Sequence, residues 1–527
     1  MNAWGSSLSV VLYKAMLCLT RILQRSKPTH HDFFSSVASK SSPEIERITR
    51  IINDHPFPDQ PLHPTLLHHV PPSLLSPPFV ENVLGRLFAA HSNGLKALEF
   101  FKFSLSHPHC TPSSDAFEKT LHILTRMRYF DKAWDFMITT QQTHPSLLTL
   151  KSMSIILSKI AKFQSFEDTL HAFERMETEI FAGKKFGTEE FNVLLRAFCT
   201  ERDMKEARAV FQKLHGRFNP NIKTMNILLL GFKECGDITA MELFYHETVL
   251  RGFKPNATTY NIRIDGYCKK GYFGDGLRLF EEMERVHCVP GLETITTLIH
   301  GAGLVRNVIK ARQLFDEMPQ RSLKPDIGVY NALISSLIRA RDVNSATDLM
   351  DEMEEKQIGH DNVTYHTMFL GTMKSSGIEG VCKLYNKMIE RNFVPKTRTV
   401  VMLMKFFCEN RRLDLGLDLW RYLVEKGFCP HGHALELLVT GLCARGRLQE
   451  AFDCSKQVLV RGRQMSEAVY NMLRRFLLQS NEMAKLEELN TMIKKLQTIL
   501  PPARVSIDTD YLMDMGVLET IKVSITL

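Results

Sequence analysis

The side chains best able to attack a substrate, relay protons or hold a metal are 11 cysteines and 20 histidines. Their spacing supports none of these uses. No C-x-x-C pair occurs, which removes a zinc ribbon and a redox dithiol. His63, His68 and His69 lie close together but have no carboxylate or cysteine at ligand spacing. A phosphate-binding P-loop, an H-E-x-x-H helix, a cluster of carboxylates with a basic flank, and the H-x-E and C-x-x-C elements of a zinc deaminase are all missing from the chain. The expectation is a non-enzymatic protein with no catalytic residue, no metal and no cofactor, whose chemistry is recognition. The odd cysteine count without a dense pattern fits a reducing compartment.

Six prolines show what organises the chain. Pro220, Pro255, Pro290, Pro325, Pro395 and Pro430 sit on a grid of 35, with His360 in the vacant slot. A fixed period of this length marks one supersecondary unit copied in tandem. Blocks start at Thr188, Ile222, Ala257, Leu292, Ile327, Asn362, Thr397 and Gly432. Each reads as two helices, the first from about the third to the fourteenth residue. In the second, a small residue is followed four places on by a large one: Ala207 and Phe211, Gly276 and Phe280, Ala311 and Phe315, Ala346 and Met350, Gly416 and Trp420. That spacing puts both on one helix face. Met283, Met318, Met353 and Met388 extend the stripe. Gly236, Gly271 and Gly446 are placed to end first helices in a left-handed conformation. The grid proline is expected to close the second helix. Cys199, Cys268, Cys408 and Cys443 all hold the twelfth place and read as small core residues. One hairpin cannot bury both faces of its helices, whereas a stack can.

The flanks differ in character. Residues 1–31 contain no acid, with Lys14, Arg21 and Arg25 on one helical face and Leu8, Leu12, Met16, Leu19 and Leu23 broadly opposite. Such a start looks like an organellar transit peptide. Residues 51–78, rich in proline and histidine, read as an irregular linker. No segment is apolar for long enough to span a bilayer, so no membrane partner is expected. The net charge of +8, with a pI near 8.8, is compatible with a polyanionic partner and equally with solvated surface charge.

Thr259-Tyr260-Asn261, Val329-Tyr330-Asn331, Leu279-Phe280-Glu281-Glu282-Met283 and Pro325-Asp326 together carry a resemblance to the pentatricopeptide repeat family, P-type, of plant organelles. The resemblance covers roughly residues 78–500 and is strongest from 188 to 396. The tetratricopeptide repeat, with its period of 34, fits less well. The implied fold is all-α, a right-handed superhelical solenoid of 35-residue helix-turn-helix repeats. The implied organisation is a transit peptide and N-terminal segment (1–50), the linker (51–78), degenerate helical repeats (79–187), and the array 188–466. The array divides at 188–221, 222–256, 257–291, 292–326, 327–361, 362–396, 397–431 and 432–466. Repeat-like helices (467–500) and a tail (501–527) follow. Asp510-Tyr511 is followed by Leu512 and so departs from the terminal signature of the family's RNA-editing branch.

Such repeats read one RNA base each through two or three side chains. By resemblance, those are the fifth residue of a block and its last. The pairs are Asn192 with Asn221, Asn226 with Asn256, Asn261 with Gly291, Thr296 with Asp326, and Asn331 with Asp361. The family's pattern implies pyrimidine, pyrimidine, pyrimidine, G and U, in the 5′ to 3′ direction. An Asn or Asp at these places is equally suited to capping a helix. Three later pairs, His366 with Lys396, Val401 with His431, and Glu436 with Ser466, fall outside the pattern. The second place should clamp the base with an apolar side chain. Val363 does so, whereas Glu189, Lys223, Glu293 and Arg398 depart from it. Lys269, Arg339 and Lys374 at the thirteenth place are the expected phosphate contacts. The implied function is a sequence-specific, single-stranded RNA-binding adaptor in intron splicing, transcript stabilisation or end maturation. Protein partners in splicing or processing come with it, in a mitochondrion or alternatively a chloroplast. The alternative is a scaffold that grips a protein, kept open by Glu189, Glu293, Glu409 and Glu436 near the groove.

Overall fold

The computed structural model describes residues 43–56, 60–107, 110–201 and 204–497, and these are helical with no strand among them. The acid-free leader of 1–31, the residues after it up to 42, and the tail from 498 lie outside the described residues. No described helix is long and apolar enough to cross a membrane. The described residues form two compact units, one spanning 187–377 and the other combining 43–186 with 378–497.

In the unit spanning 187–377, every block is a helical hairpin. The block from Ala257 shows how its sequence builds it. The first helix is Ala257–Lys269 and the second Phe273–Arg285. The first helix starts two residues earlier than its apolar pattern predicts, because Asn256 caps it: the side chain accepts the Thr259 N–H. Asn221, Asp326 and Asp361 cap their helices in the same way.

Left-handed residues punctuate the blocks at two recurring places. The first is at the fifteenth place, where Gly236, Gly271 and Gly446 have φ of 70°, 85° and 71°. Arg306, Arg341 and Arg411 take the same conformation without glycine's freedom, at a cost on the order of 1 kcal/mol each. The second is at the thirty-first place, at Gly252, His287, Ser322, Gln357, Asn392, Gly427 and Gly462. This residue, and not the grid proline, ends the second helix. The N–H after it returns to a carbonyl five residues back, as from Cys288 to Met283 at 3.0 Å and from Ile358 to Met353 at 2.7 Å. That closure satisfies the last carbonyls of the helix. The recurring methionines are therefore fixed twice: Met283, Met318, Met353 and Met388 are fully buried, and their carbonyls receive this bond. Pro290 comes later, just before the N-cap Gly291, where its fixed φ sets the extended entry to the next helix.

Within a hairpin, the fourth-place tyrosine ties the helices together. Tyr260 donates to Glu282 at 3.1 Å and Tyr330 to Glu352 at 2.9 Å. Between hairpins, the first helices of successive blocks pack directly on one another while the second helices meet sparsely. The first helices therefore form one continuous packed layer. Close approach needs small tenth-place residues. A Cβ on Gly301 would lie 2.4 Å from Cys268 Sγ, and one on Gly371 2.3 Å from Ile338 Cδ1. Cys199, Cys268 and Cys443 are buried as expected, with Cys408 half-buried. Burial pushes the Cys199 and Cys268 thiols up to about 12, so they pack as neutral groups.

The other unit corrects the linker. Leu62–His69 is a helix, with Leu62, Leu66 and Val70 almost wholly buried. Pro64 falls in its first turn, where a missing N–H costs nothing. Pro77–Ala89 likewise starts on two prolines. The Pro43–Asp54 helix, expected to belong in part to the targeting segment, joins the packed helices. This N-terminal stretch lies against the late blocks of the same unit. Asn53 Nδ2 donates to the Gly427 carbonyl at 2.6 Å and Asn93 Nδ2 to that of Gly462 at 3.1 Å. The Cys429 N–H donates to the Ala90 carbonyl at 3.1 Å. Arg461 makes two bonds to Asp54 Oδ1 at 2.8 and 3.0 Å.

Candidate nucleic-acid interface

The fifth-place residues all fall on first helices, hence on the packed first-helix layer, but they do not protrude. Asn192 is 3% exposed and Asn226, Asn261 and Asn331 are each 7% exposed. They sit in the seam where one first helix meets the next, and what they touch explains why.

Asn331 Nδ2 donates to Asp361 Oδ1 at 3.0 Å, and its Oδ1 accepts the Thr364 hydroxyl at 2.7 Å. Asn226 repeats this with Asn256 Oδ1 at 3.1 Å and the Thr259 hydroxyl at 2.8 Å. In the next block the closing residue, Gly291, has no side chain. There Asn261 Nδ2 turns to Glu293 at 3.1 Å, while its Oδ1 still accepts the Thr294 hydroxyl at 2.8 Å. The fifth and last residues expected to act as a pair are thus hydrogen-bonded to each other in two blocks. Thr296 differs, its hydroxyl being spent on the Leu292 carbonyl. Asn192 differs too, because neither amide atom has a hydrogen-bond partner among the described residues.

Capping and pairing use the same atom. Asp361 Oδ1 accepts from the N–H groups of Val363 and Thr364 as well as from Asn331. A carboxylate has a second oxygen and a carboxamide a second, donating, atom. A closing Asn or Asp therefore caps with one atom and leaves a second polar atom outside the cap.

The second places form their own contacts. Lys223 pairs with Glu189 of the preceding block. Val363 is 51% exposed, an open apolar side chain beside Asp361. The basic thirteenth places divide. Lys269 is held by Asp265 at 2.8 Å in a cluster with Lys233 and Glu234. Burial alone would raise the Asp265 carboxyl, but Lys233 and Lys269 outweigh it and hold it below the usual carboxylate range. Arg339 and Lys374 are exposed and form no ion pair among the described residues.

In the later blocks the corresponding residues serve other ends. Val401 is fully buried. The Thr397 hydroxyl lies 2.8 Å from His91 Nε2. Burial lowers the His431 imidazole to about 4, helped by Arg463 and His433. The third-place threonines were not anticipated from the sequence as part of the site. Their signal is present, though: a threonine there follows each block whose fifth residue is asparagine.

The described residues thus form arrays of helical hairpins of one repeat class, with polar side chains in register along the first-helix layer. The family model described as the PPR repeat family matches residues 220–269, 255–303 and 325–374, and the PPR repeat model matches 191–217 and 293–323. The chain is 66% identical over 281 residues to the pentatricopeptide repeat-containing protein At3g61360 of Arabidopsis thaliana, covering 53% of this chain and 56% of that one. It is 35% identical over 195 residues to a second such Arabidopsis protein, At1g02420, covering 37% of this chain and 39% of that one. The chain thus spans about half the length, or less, of these curated relatives. Three others, each 29% identical, carry the word mitochondrial in their names. Among solved structures, the pentatricopeptide repeat protein PPR10 from maize aligns over 93% of this chain and 82% of its own at 19% identity, with a TM-score of 0.29. The chain belongs to the pentatricopeptide repeat family.

Proposed function

We propose that this protein binds single-stranded RNA in a sequence-dependent way and acts as a non-catalytic adaptor in organellar transcript processing. The observation that supports this most is the hydrogen-bonded fifth-and-last pair at two seams, Asn226 with Asn256 and Asn331 with Asp361. Asn331 has a second amide hydrogen and Asp361 a second carboxylate oxygen, one donor beside one acceptor. Uracil offers a carbonyl beside an N–H, the complementary order. Thr296 with Asp326 takes G, and the three preceding pairs take pyrimidines. The base enters at the seam, against a shallow polar edge, with Val363 available to one of its faces. Occupying a transcript this way serves splicing, stabilisation or end maturation by excluding nucleases or competing RNA structure. The names of the more distant relatives favour a mitochondrial setting over a chloroplast one.

Titration of the full chain with short RNAs tests this. An RNA carrying three pyrimidines, G and U in order is expected to bind at least tenfold more tightly than one with that core permuted. A protein-binding scaffold is the second reading. It is favoured by Glu189 and Glu293, which occupy places where an RNA reader needs an apolar clamp. Equal binding to every RNA, or none at low salt, supports the scaffold. Sequencing organelle transcripts from a plant lacking the protein identifies the RNA it serves.

A further inference from the structure

We infer that the third-place threonine of each block sets the side-chain amide orientation of the fifth-place asparagine in the block before it, so that base choice depends on the C-terminal neighbour. The inference rests on the RNA-reading function proposed above and adds Thr259, Thr294 and Thr364 to it as positioning residues.

A threonine hydroxyl has one proton to give and lone pairs to receive. At all three seams the oxygen receives the backbone N–H of the closing residue. The distances are 3.1 Å from Asn256, 3.2 Å from Gly291 and 3.2 Å from Asp361. At all three it lies 2.7 to 2.8 Å from the asparagine Oδ1 of the preceding block. The threonines are 0–1% exposed, so no solvent competes for the proton. Because the hydroxyl donates, the asparagine must turn its oxygen toward it and its NH2 the other way. That leaves Nδ2 on Asn256, Glu293 or Asp361. A flipped amide sets NH2 against a hydroxyl that already receives an N–H, and carbonyl oxygen against a carboxylate in two of the three seams. The threonine thereby decides which half of the amide faces an incoming base.

The chain supplies its own contrast. Where the fifth residue is Thr296, the next block has Val329 at the third place, fully buried and without a hydroxyl. Valine is therefore a natural occupant of this position. The hydroxyls of Thr224, Thr259 and Thr364 also lie 3.0 to 3.2 Å from the capping Oδ1 of Asn221, Asn256 and Asp361, but at the first seam Asn192 has no hydrogen-bond partner among the described residues, so there the threonine meets the cap alone.

The experiment compares the full chain with Thr364→Val and Thr364→Ser. The RNAs carry U, C, A or G at the fifth core position, with a matched set varied at the second core position. Thr364→Val is expected to reduce preference for U at the fifth position about fivefold to tenfold, the effect of one buried hydrogen bond. Selection at the second position stays unchanged, and Thr364→Ser restores the original preference. In RNA-free chain, the Asn331 side-chain amide protons exchange faster in Thr364→Val than in the parent. Unchanged preference together with unchanged exchange overturns the inference, as does an equal loss at both positions, which marks a structural role. If the parent shows no base selection at all, the RNA-reading function fails, and the exchange measurement still decides whether the threonine orients the amide.

Discussion

The blocks of the 187–377 unit and the late blocks of the other unit share one repeat plan but differ at the same two places. At the thirty-first place Gly252, His287, Ser322 and Gln357 are exposed, whereas Gly427 and Gly462 are buried under residues 43–96. At the fifth place the first group holds hydrogen-bonded asparagines, and the second holds the fully buried Val401. The fifth-and-last polar pattern is kept in the repeats whose edges stay open and is absent where the chain covers an edge: Lys396, Val401 and His431 fall beside or within the block whose Thr397 and Cys429 meet His91 and Ala90.

Four experiments break or sharpen this contrast. The largest effect is expected in the first unit. Gly301→Val puts a branched side chain where a single Cβ already meets Cys268. It should cost about 3 kcal/mol, read as a lower denaturation midpoint. Faster hydrogen exchange should be confined to 187–377. In the other unit, Asp54→Ala removes the partner of Arg461, whose side chain is 5% exposed against 46% for Asp54. The half-open aspartate reduces the loss to about 2 kcal/mol. Faster exchange should appear in 43–96 and 397–463 together, and its absence there would break the comparison.

Acid separates the units next. Burial is the main reason that His91 lies well below its usual range, His122 near about 3 and His431 near about 4. In the first unit burial likewise lowers His300. A histidine whose folded value lies below its unfolded value of about 6.5 contributes stability at neutral pH. That stability is lost as the unfolded chain takes up protons below pH 6.5. Between pH 7 and pH 5 each well-buried histidine should cost on the order of 1–2 kcal/mol. The unit holding three of them should open first by hydrogen exchange, and replacing His122 with glutamine should flatten its pH dependence.

The smallest effect concerns salt. Arg339→Ala or Lys374→Ala should each lower the salt-dependence slope of RNA binding by about 0.7, whereas Lys269→Ala, already neutralised by Asp265, should barely change it. Equal changes for all three would show that the acidic cluster releases Lys269 to the RNA.

Much of the hairpin is legible in the chain: the period, the helix faces, the glycine turns and the identity of the paired polar places. What misleads is local chemistry with two readings. Proline at 290 looks like a helix stop, but the carbonyl-satisfying turn at His287 has already ended the helix. The prolines of 61–78 look like a linker, yet they fall at helix starts. Arg306 and Arg341 carry no sign that they adopt a glycine-like conformation.

Repetition at 35 residues determines the all-α hairpin by itself, because capping, periodicity and turn chemistry act within a few residues of each other. Which amide atom faces outward and which edges are covered depend on side chains 30 to more than 400 positions apart, such as Asn331 with Asp361 and Asp54 with Arg461. A hydrogen bond or ion pair forms only when folding brings both partners within about 3 Å, and no local pattern encodes that meeting.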